Sequence, residues 1–76
     1  MRPKILIIDD DTDLCRLLKD NLEQEGYFVS ACHDGVSGLA ESQRLDYQLV
    51  VLDIMLPLKN GYEVLKKIRE KSYVPI

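Results

Sequence analysis

The amino-acid sequence predicts an α/β fold: a doubly wound parallel sheet with helices on both faces, in three αβα layers. Three observations carry this reading. Short runs that are apolar on both sides alternate with longer segments of helical periodicity, in the order βαβαβα. The connections between them are short, as expected where each helix crosses back over the sheet in the right-handed sense. The first and third apolar runs each stop abruptly at an aspartate, Asp9 and Asp53.

The first strand is Lys4-Ile5-Leu6-Ile7-Ile8, rich in β-branched residues and suited to burial on both faces. From Thr12 to Glu25 a helix is expected, with Leu14, Leu17, Leu18 and Leu22 on one face, Asp11 or Thr12 as its cap, and Gly26 as its left-handed stop. Tyr27 to Cys32 alternates, with Tyr27, Val29 and Ala31 on one side and Phe28, Ser30 and Cys32 on the other, before His33-Asp34-Gly35 turns the chain. A weaker helix follows over Val36 to Arg44, presenting Val36, Leu39, Ala40 and Gln43; Gly38 inside it costs up to about 1 kcal/mol of helix propensity.

The third strand is expected over Leu45 to Leu52, leaving Asp53 at its carboxyl end. After a loop from Ile54 to Asn60, Tyr62 to Glu70 forms a helix with Val64, Leu65 and Ile68 on its apolar face and Glu63 and Lys67 on the exposed side. Val74-Pro75-Ile76 opens like another strand, so the domain, residues 1–76, is expected to be incomplete at its C-terminus.

Composition narrows the function. With 76 residues the chain makes at most one small domain; 46% hydrophobic and 30% charged residues describe an ordinary globular mixture. A net charge of -3, from 10 Lys+Arg against 13 Asp+Glu, offers no basic excess for a nucleic-acid backbone, and direct nucleic-acid binding is not expected. Met1-Arg2-Pro3-Lys4 resembles a charged leader, but the apolar run after it ends at Asp9, too short for a signal or membrane span, which points to a cytoplasmic protein. Cys15 and Cys32 lack metal-ligand spacing and read as small buried thiols, and His33 reads as a strand-end or loop residue.

In a doubly wound sheet, ligands bind outside the carboxyl ends of the strands, and Asp9, Asp10 and Asp53 fall there. If the first and third strands are neighbours, carboxylates 43 residues apart in sequence converge. Like charges in one pocket repel unless a cation is present. Hard oxygen ligands partly open to water suit magnesium, with manganese as a substitute. Such an ion neutralises charge on a transferring phosphoryl group, and Asp53, alone at its strand end, is the natural nucleophile. The alternative for the acidic run is helix capping, which Asp11 and Asp13 suffice to provide.

Lys4-Ile5-Leu6-Ile7-Ile8-Asp9-Asp10-Asp11, Val51-Leu52-Asp53-Ile54-Met55-Leu56-Pro57 and Asn60-Gly61-Tyr62-Glu63-Val64-Leu65 together resemble response-regulator receiver domains over essentially the whole chain. The resemblance implies a flavodoxin-like sheet of order 2-1-3-4-5, of which this chain would supply 2-1-3 and lack strands 4 and 5. It implies that Asp53 accepts a phosphoryl group from the phosphohistidine of a sensor histidine kinase or phosphotransfer protein, and so switches an output. It further implies that Asp9, Asp10 and Asp53, with the backbone carbonyl of Met55, hold Mg2+, and that the chain is no enzyme beyond phosphoryl transfer to and from its own Asp53.

Two features depart from that pattern. Leu58-Lys59-Asn60-Gly61 stands where Asp-Gly is commoner, a change tolerated if Asn60 takes left-handed geometry. The family's hydroxyl residue after strand 4 and Lys after strand 5 lie beyond Ile76. The acidic run and the missing strands admit two other readings. In one, Ile8-Asp9-Asp10-Asp11-Thr12 resembles the opening of haloacid-dehalogenase-like phosphatases, with Asp9 as nucleophile and Asp11 as acid. In the other, the chain is a half-domain that only pairs. An incomplete sheet is expected to leave the outer backbone of the third strand unpaired and Val50, Val51, Val64 and Ile68 exposed, favouring a homodimer or complementation by another fragment through that edge.

Overall fold

The computed structural model describes residues 2–57 and 59–76; Met1 of the leader-like start and Leu58 of the loop after Asp53 lie outside the described residues. The elements follow the order β1 (Lys4–Ile8), α1 (Thr12–Gln24), β2 (Phe28–Cys32), α2 (Gly35–Arg44), β3 (Leu49–Leu52) and α3 (Gly61–Arg69). The strands form a parallel sheet of order β2-β1-β3, with Ile5 opposite Val29 on one side and Leu49 on the other. This is the doubly wound arrangement expected from the alternation of apolar runs and helices, with the first and third strands adjacent. No helix among the described residues is long and apolar enough to cross a membrane.

Alternation along each strand divides the core in two. Leu6, Ile8 and Val50 point to one face, where Tyr47 and the α3 residues Val64 and Ile68 join them, with Leu39 of α2 packed alongside. Ile5, Ile7 and Val29 point to the other face, covered by Cys15, Leu18 and Leu22 of α1. Tyr27 and Ala31 belong to this second face and Cys32 to the first, as the alternation of β2 requires.

Each helix begins on a side-chain cap. Asp11 accepts from the Leu14 amide at 3.0 Å, Asp34 from Ser37 at 2.8 Å and Asn60 from Glu63 at 3.0 Å. The hydrogen bond donated by the Tyr27 amide to the Leu22 carbonyl, with Gly26 at φ 95°, closes the end of α1.

The structure corrects several expectations. In α1 the buried stripe runs through Cys15, Leu18 and Leu22, whereas Leu14 and Leu17 are 40% and 58% exposed. A helical stripe covers only what faces it, and α1 leans over β1 and β2 without reaching β3. In α2 the inner face is Gly35, Gly38 and Leu39, while Val36, Ala40 and Gln43 are exposed. A Cβ on Gly38 would lie 2.6 Å from Cγ2 of Ile8, so the glycine that weakens the helix is what lets it approach β1. Glu63 pairs with Lys59, one turn before it, rather than with Lys67.

The third strand is half the expected length. Leu45 is the extended cap of α2 and Tyr47 turns into the core below the sheet, so ladder pairing starts only at Leu49. Tyr47 donates to Glu41, which also receives two bonds of 2.9 Å from Arg44. Burial, then the Glu41 bond, pushes the Tyr47 phenol up to about 12. The outer edge of β3 is not wholly unpaired: the Val50 amide donates to the Pro75 carbonyl at 2.9 Å, so the final residues run beside β3. Val50, Val64 and Ile68 are buried, at 1%, 0% and 3%, because α2 and α3 cover their face; only Val51, at 40%, fits the expected exposure.

Candidate functional site

Asp9 and Asp53 extend the sheet by one residue beyond its formal strands. The Asp9 amide donates to the Cys32 carbonyl at 3.0 Å and the Asp53 amide to the Ile8 carbonyl at 2.9 Å. Both aspartates are therefore fixed by parallel ladders at the carboxyl edge, and Asp10 follows where the chain turns into α1. One carboxylate oxygen from each of Asp9, Asp10 and Asp53 lies within 4.8 Å of the other two. All three residues that the acidic motifs single out are thus brought together, Asp9 and Asp53 half-buried and Asp10 exposed.

Local hydrogen bonds aim these groups. Asp9 Oδ1 accepts from the Asp11 amide at 2.9 Å, and Asp53 Oδ1 accepts from the Met55 amide at 3.0 Å, each an Asx turn. Two such turns hold both carboxylates toward the space they share. At 4.8 Å, even water's dielectric leaves a repulsion of about 0.9 kcal/mol per pair of like charges, and a drier pocket more. A hard cation bound by oxygen atoms relieves it, and carboxylate oxygens at a partly wet surface, with room for water, are the kind of donor magnesium takes.

The loop after Asp53 is held by the start of α3. The Gly61 amide donates to the Ile54 carbonyl at 2.9 Å, and a Cβ on Gly61 would stand 2.5 Å from the Asp53 carbonyl. Gly61 is thus buried against the strand end, a tighter constraint than an ordinary turn residue. Asn60 has φ −68°, not left-handed geometry, and serves as the α3 cap. Met55 is 81% exposed, and its amide rather than its side chain engages the site.

Asp11 stands apart from the cluster, since its carboxylate caps α1. An acid role for it, as in the phosphatase-like alternative, has no geometric support.

Two residues outside the acidic motifs also reach the site. The Cys15 thiol, in the first turn of α1, donates to the Asp9 carbonyl at 3.4 Å, and His33 Nδ1 lies 3.1 Å from the same oxygen. Burial, then the carboxylates of Asp9, Asp11 and Asp10, pushes the Cys15 thiol up, so it stays an S–H donor near neutrality. Cys32, expected to be buried, is only half-buried. The two thiols belong to opposite faces of the sheet, Cys15 with the α1 face and Cys32 with the other. No sequence signal marked His33, because its partner is a backbone atom 24 residues away.

Comparison with known proteins agrees with this geometry. The chain is 44% identical over 73 residues to the transcriptional regulatory protein CpxR homolog of Haemophilus influenzae, covering 96% of this chain and 32% of that protein. It superposes on the chemotaxis response regulator CheY4 of Vibrio cholerae with TM-score 0.94 at 28% identity, covering 100% of this chain and 66% of that one. A second structural neighbour, at TM-score 0.86 and 36% identity, covering 96% of this chain and 63% of that one, is a chain of the complex of the histidine kinase ThkA with the response regulator protein TrrA. The chain spans about a third of the length of the curated relatives it matches. The model of the response regulator receiver domain matches residues 5–76, and with that match, the parallel 2-1-3 sheet and the relatives above, the chain belongs to the response regulator receiver domain family.

Proposed function

We propose that this chain is the phospho-accepting part of a two-component response regulator, with Asp53 as the acceptor and Asp9, Asp10, Asp53 and the Met55 carbonyl as the groups that hold Mg2+. The observation that carries the reading is the approach of the Asp53 carboxylate to those of Asp9 and Asp10 within 4.8 Å. In the step, one Asp53 carboxylate oxygen attacks phosphorus, the phosphorus–nitrogen bond of a donor phosphohistidine breaks, and the departing imidazole nitrogen takes a proton. The product is an aspartyl phosphate, whose hydrolysis returns the carboxylate.

The protein's part is positioning. Asp53 is held at its strand end by the ladder bond to Ile8, and the Met55 amide, by occupying Oδ1, leaves Oδ2 as the attacking oxygen. Asp9 and Asp10 add negative charge that disfavours an incoming phosphoryl group on its own. A bound Mg2+ would offset most of that local negative charge and help to neutralise charge on the transferring group.

The partner implied is a sensor histidine kinase or phosphotransfer protein, in keeping with the ThkA–TrrA complex, and the setting is cytoplasmic. Switching of an output follows from the same role, since the relatives it matches are named transcriptional regulators and response regulators. Pairing through the β3 edge, as a homodimer or with another fragment, belongs to the same proposal; Leu49 and Val51 of that strand are 37% and 40% exposed.

Incubation of the chain with Mg2+ and a small phosphodonor, read by intact mass, tests the reading. The parent chain and Asp11→Asn should gain one phosphoryl group and Asp53→Asn none, since the amide keeps the shape without the anionic nucleophile. Incorporation in Asp53→Asn at the parent rate overturns the assignment. No incorporation in the folded parent would favour a module that only pairs.

A further inference from the structure

We propose that His33 is a positioning residue for the acidic pocket: by donating from Nδ1 to the Asp9 carbonyl it fixes the peptide that places Asp10. The proposal rests on the reading of Asp9 and Asp10 as cation-holding groups.

Asp10 is the exposed member of the trio and lies outside any strand or helix, between the end of β1 and the Asp11 cap. Asp9 and Asp53 are held by ladder bonds and Asx turns, whereas Asp10 takes its direction from the peptide plane it shares with the Asp9 carbonyl. That carbonyl has two lone pairs, and two side chains from different parts of the fold approach it: Cys15 from α1 at 3.4 Å and His33 from the turn between β2 and α2 at 3.1 Å.

A carbonyl can only accept, so Nδ1 must carry the proton. The thiol is the weaker of the two donors. His33 is therefore the main side-chain restraint on this peptide, and it comes from the residue next to the α2 cap Asp34, whose own bond to Ser37 anchors the turn. Water would satisfy the same lone pair but would not tie the peptide to β2 and α2. Loss of the imidazole should therefore change the placement of Asp10 even where water satisfies the carbonyl.

The chain and its His33→Ala, His33→Gln, His33→Asn and Asp10→Asn variants are titrated with Mn2+, following free Mn2+ by electron paramagnetic resonance. Thermal melts without metal are run alongside. The Nδ2–H of Asn sits where Nδ1–H of His does, whereas Gln reaches the position of Nε2. His33→Ala and His33→Gln should each weaken Mn2+ binding by about fivefold to tenfold, at or below the lower end for groups that support metal ligands from behind. His33→Asn should restore binding to within about twofold of the parent, and metal-free melts of all three should match the parent.

Unchanged affinity in His33→Ala while Asp10→Asn binds weakly overturns the proposal and leaves the site reading standing. Equal weakening in Ala, Gln and Asn, with lowered melts, shows a merely structural histidine and also overturns it. Unchanged affinity in Asp10→Asn removes the site reading itself, and the proposal with it.

Discussion

The two faces of the sheet are built from the same kinds of residue and are covered differently. On one face α2 and α3 lie side by side, and Leu6, Ile8, Val50, Val64 and Ile68 are all at least 97% buried. On the other α1 alone covers β1 and β2; Ile5, Ile7, Cys15 and Val29 are buried beneath it, but Leu49 and Val51 of β3 are 37% and 40% exposed. Adjacent valines of one strand thus sit in unlike surroundings. Apolar composition qualifies a strand residue for burial, but the helix over it decides whether burial happens.

Val50 and Val51 offer the sharpest way to break this comparison, because the change is chemically identical and any loss of strand propensity is shared. Val50→Ala should destabilise the chain by about 2.5 kcal/mol, from lost transfer energy and the cavity left behind. Val51→Ala should cost about 0.5 kcal/mol, as at an ordinary partly exposed site. Urea denaturation of both variants measures the difference. Equal costs would mean that the α1 face is covered in solution, and a concentration dependence of the Val51→Ala midpoint would identify another copy as the cover.

A second test concerns the closeness of the well-covered face. Gly38→Ala gains about 1 kcal/mol of helix propensity but drives a methyl to within 3 Å of three atoms of Ile8, which is fully buried and cannot swing away. The clash should prevail, for a net loss of about 1 to 2 kcal/mol by the same denaturation assay. A stabilised Gly38→Ala variant would show that α2 can lift from β1, and that this face is looser than its burial implies.

A further test is a pH dependence at the amino end of β3. The Tyr47 phenol is raised from 10.0 to about 12, so the folded chain holds this proton more tightly than the unfolded chain does. The stability it contributes is fully present below pH about 10 and is lost as pH rises from about 10 through about 12. Denaturation midpoints of the parent should therefore fall relative to those of Tyr47→Phe across that window. Parallel curves would remove Tyr47 from the account of this core. Glu41 has the opposite sense: the Arg44 pair, then the Tyr47 bond, hold its carboxyl below the usual range, so its contribution is present near neutrality and is lost in acid.

How much of this was legible in the sequence depended on whether the deciding interaction was local. The caps Asp11, Asp34 and Asn60 each bond an amide three residues on, yet the sequence suggests a cap only for α1, Asp11 or Thr12, and left-handed geometry for Asn60. Gly61 read as a turn residue, although the space it leaves is filled by the Asp53 carbonyl, which only the folded loop brings there. The length of β3 was overread because Leu45 and Tyr47 are as apolar as strand residues, and nothing local shows that Tyr47 enters the core from a loop.

The sequence by itself determined the αβ alternation, the parallel sheet and the place of Asp9, Asp10 and Asp53 at one edge of it, whereas their convergence also needed β1 and β3 to be neighbours. Apolar runs of strand length separated by amphipathic helices leave few ways to bury both faces, and any residue just past a strand's end must then lie at one edge. Tertiary structure alone decided which leucines of α1 are buried, that two glycines join Leu39 on the inner face of α2, that Pro75 meets Val50, and that His33 lies against the Asp9 carbonyl. Periodicity names a helix face without saying how far its neighbour extends. A contact between a side chain and a backbone atom 24 residues away exists only once the parallel register has set Ile8 against Cys32.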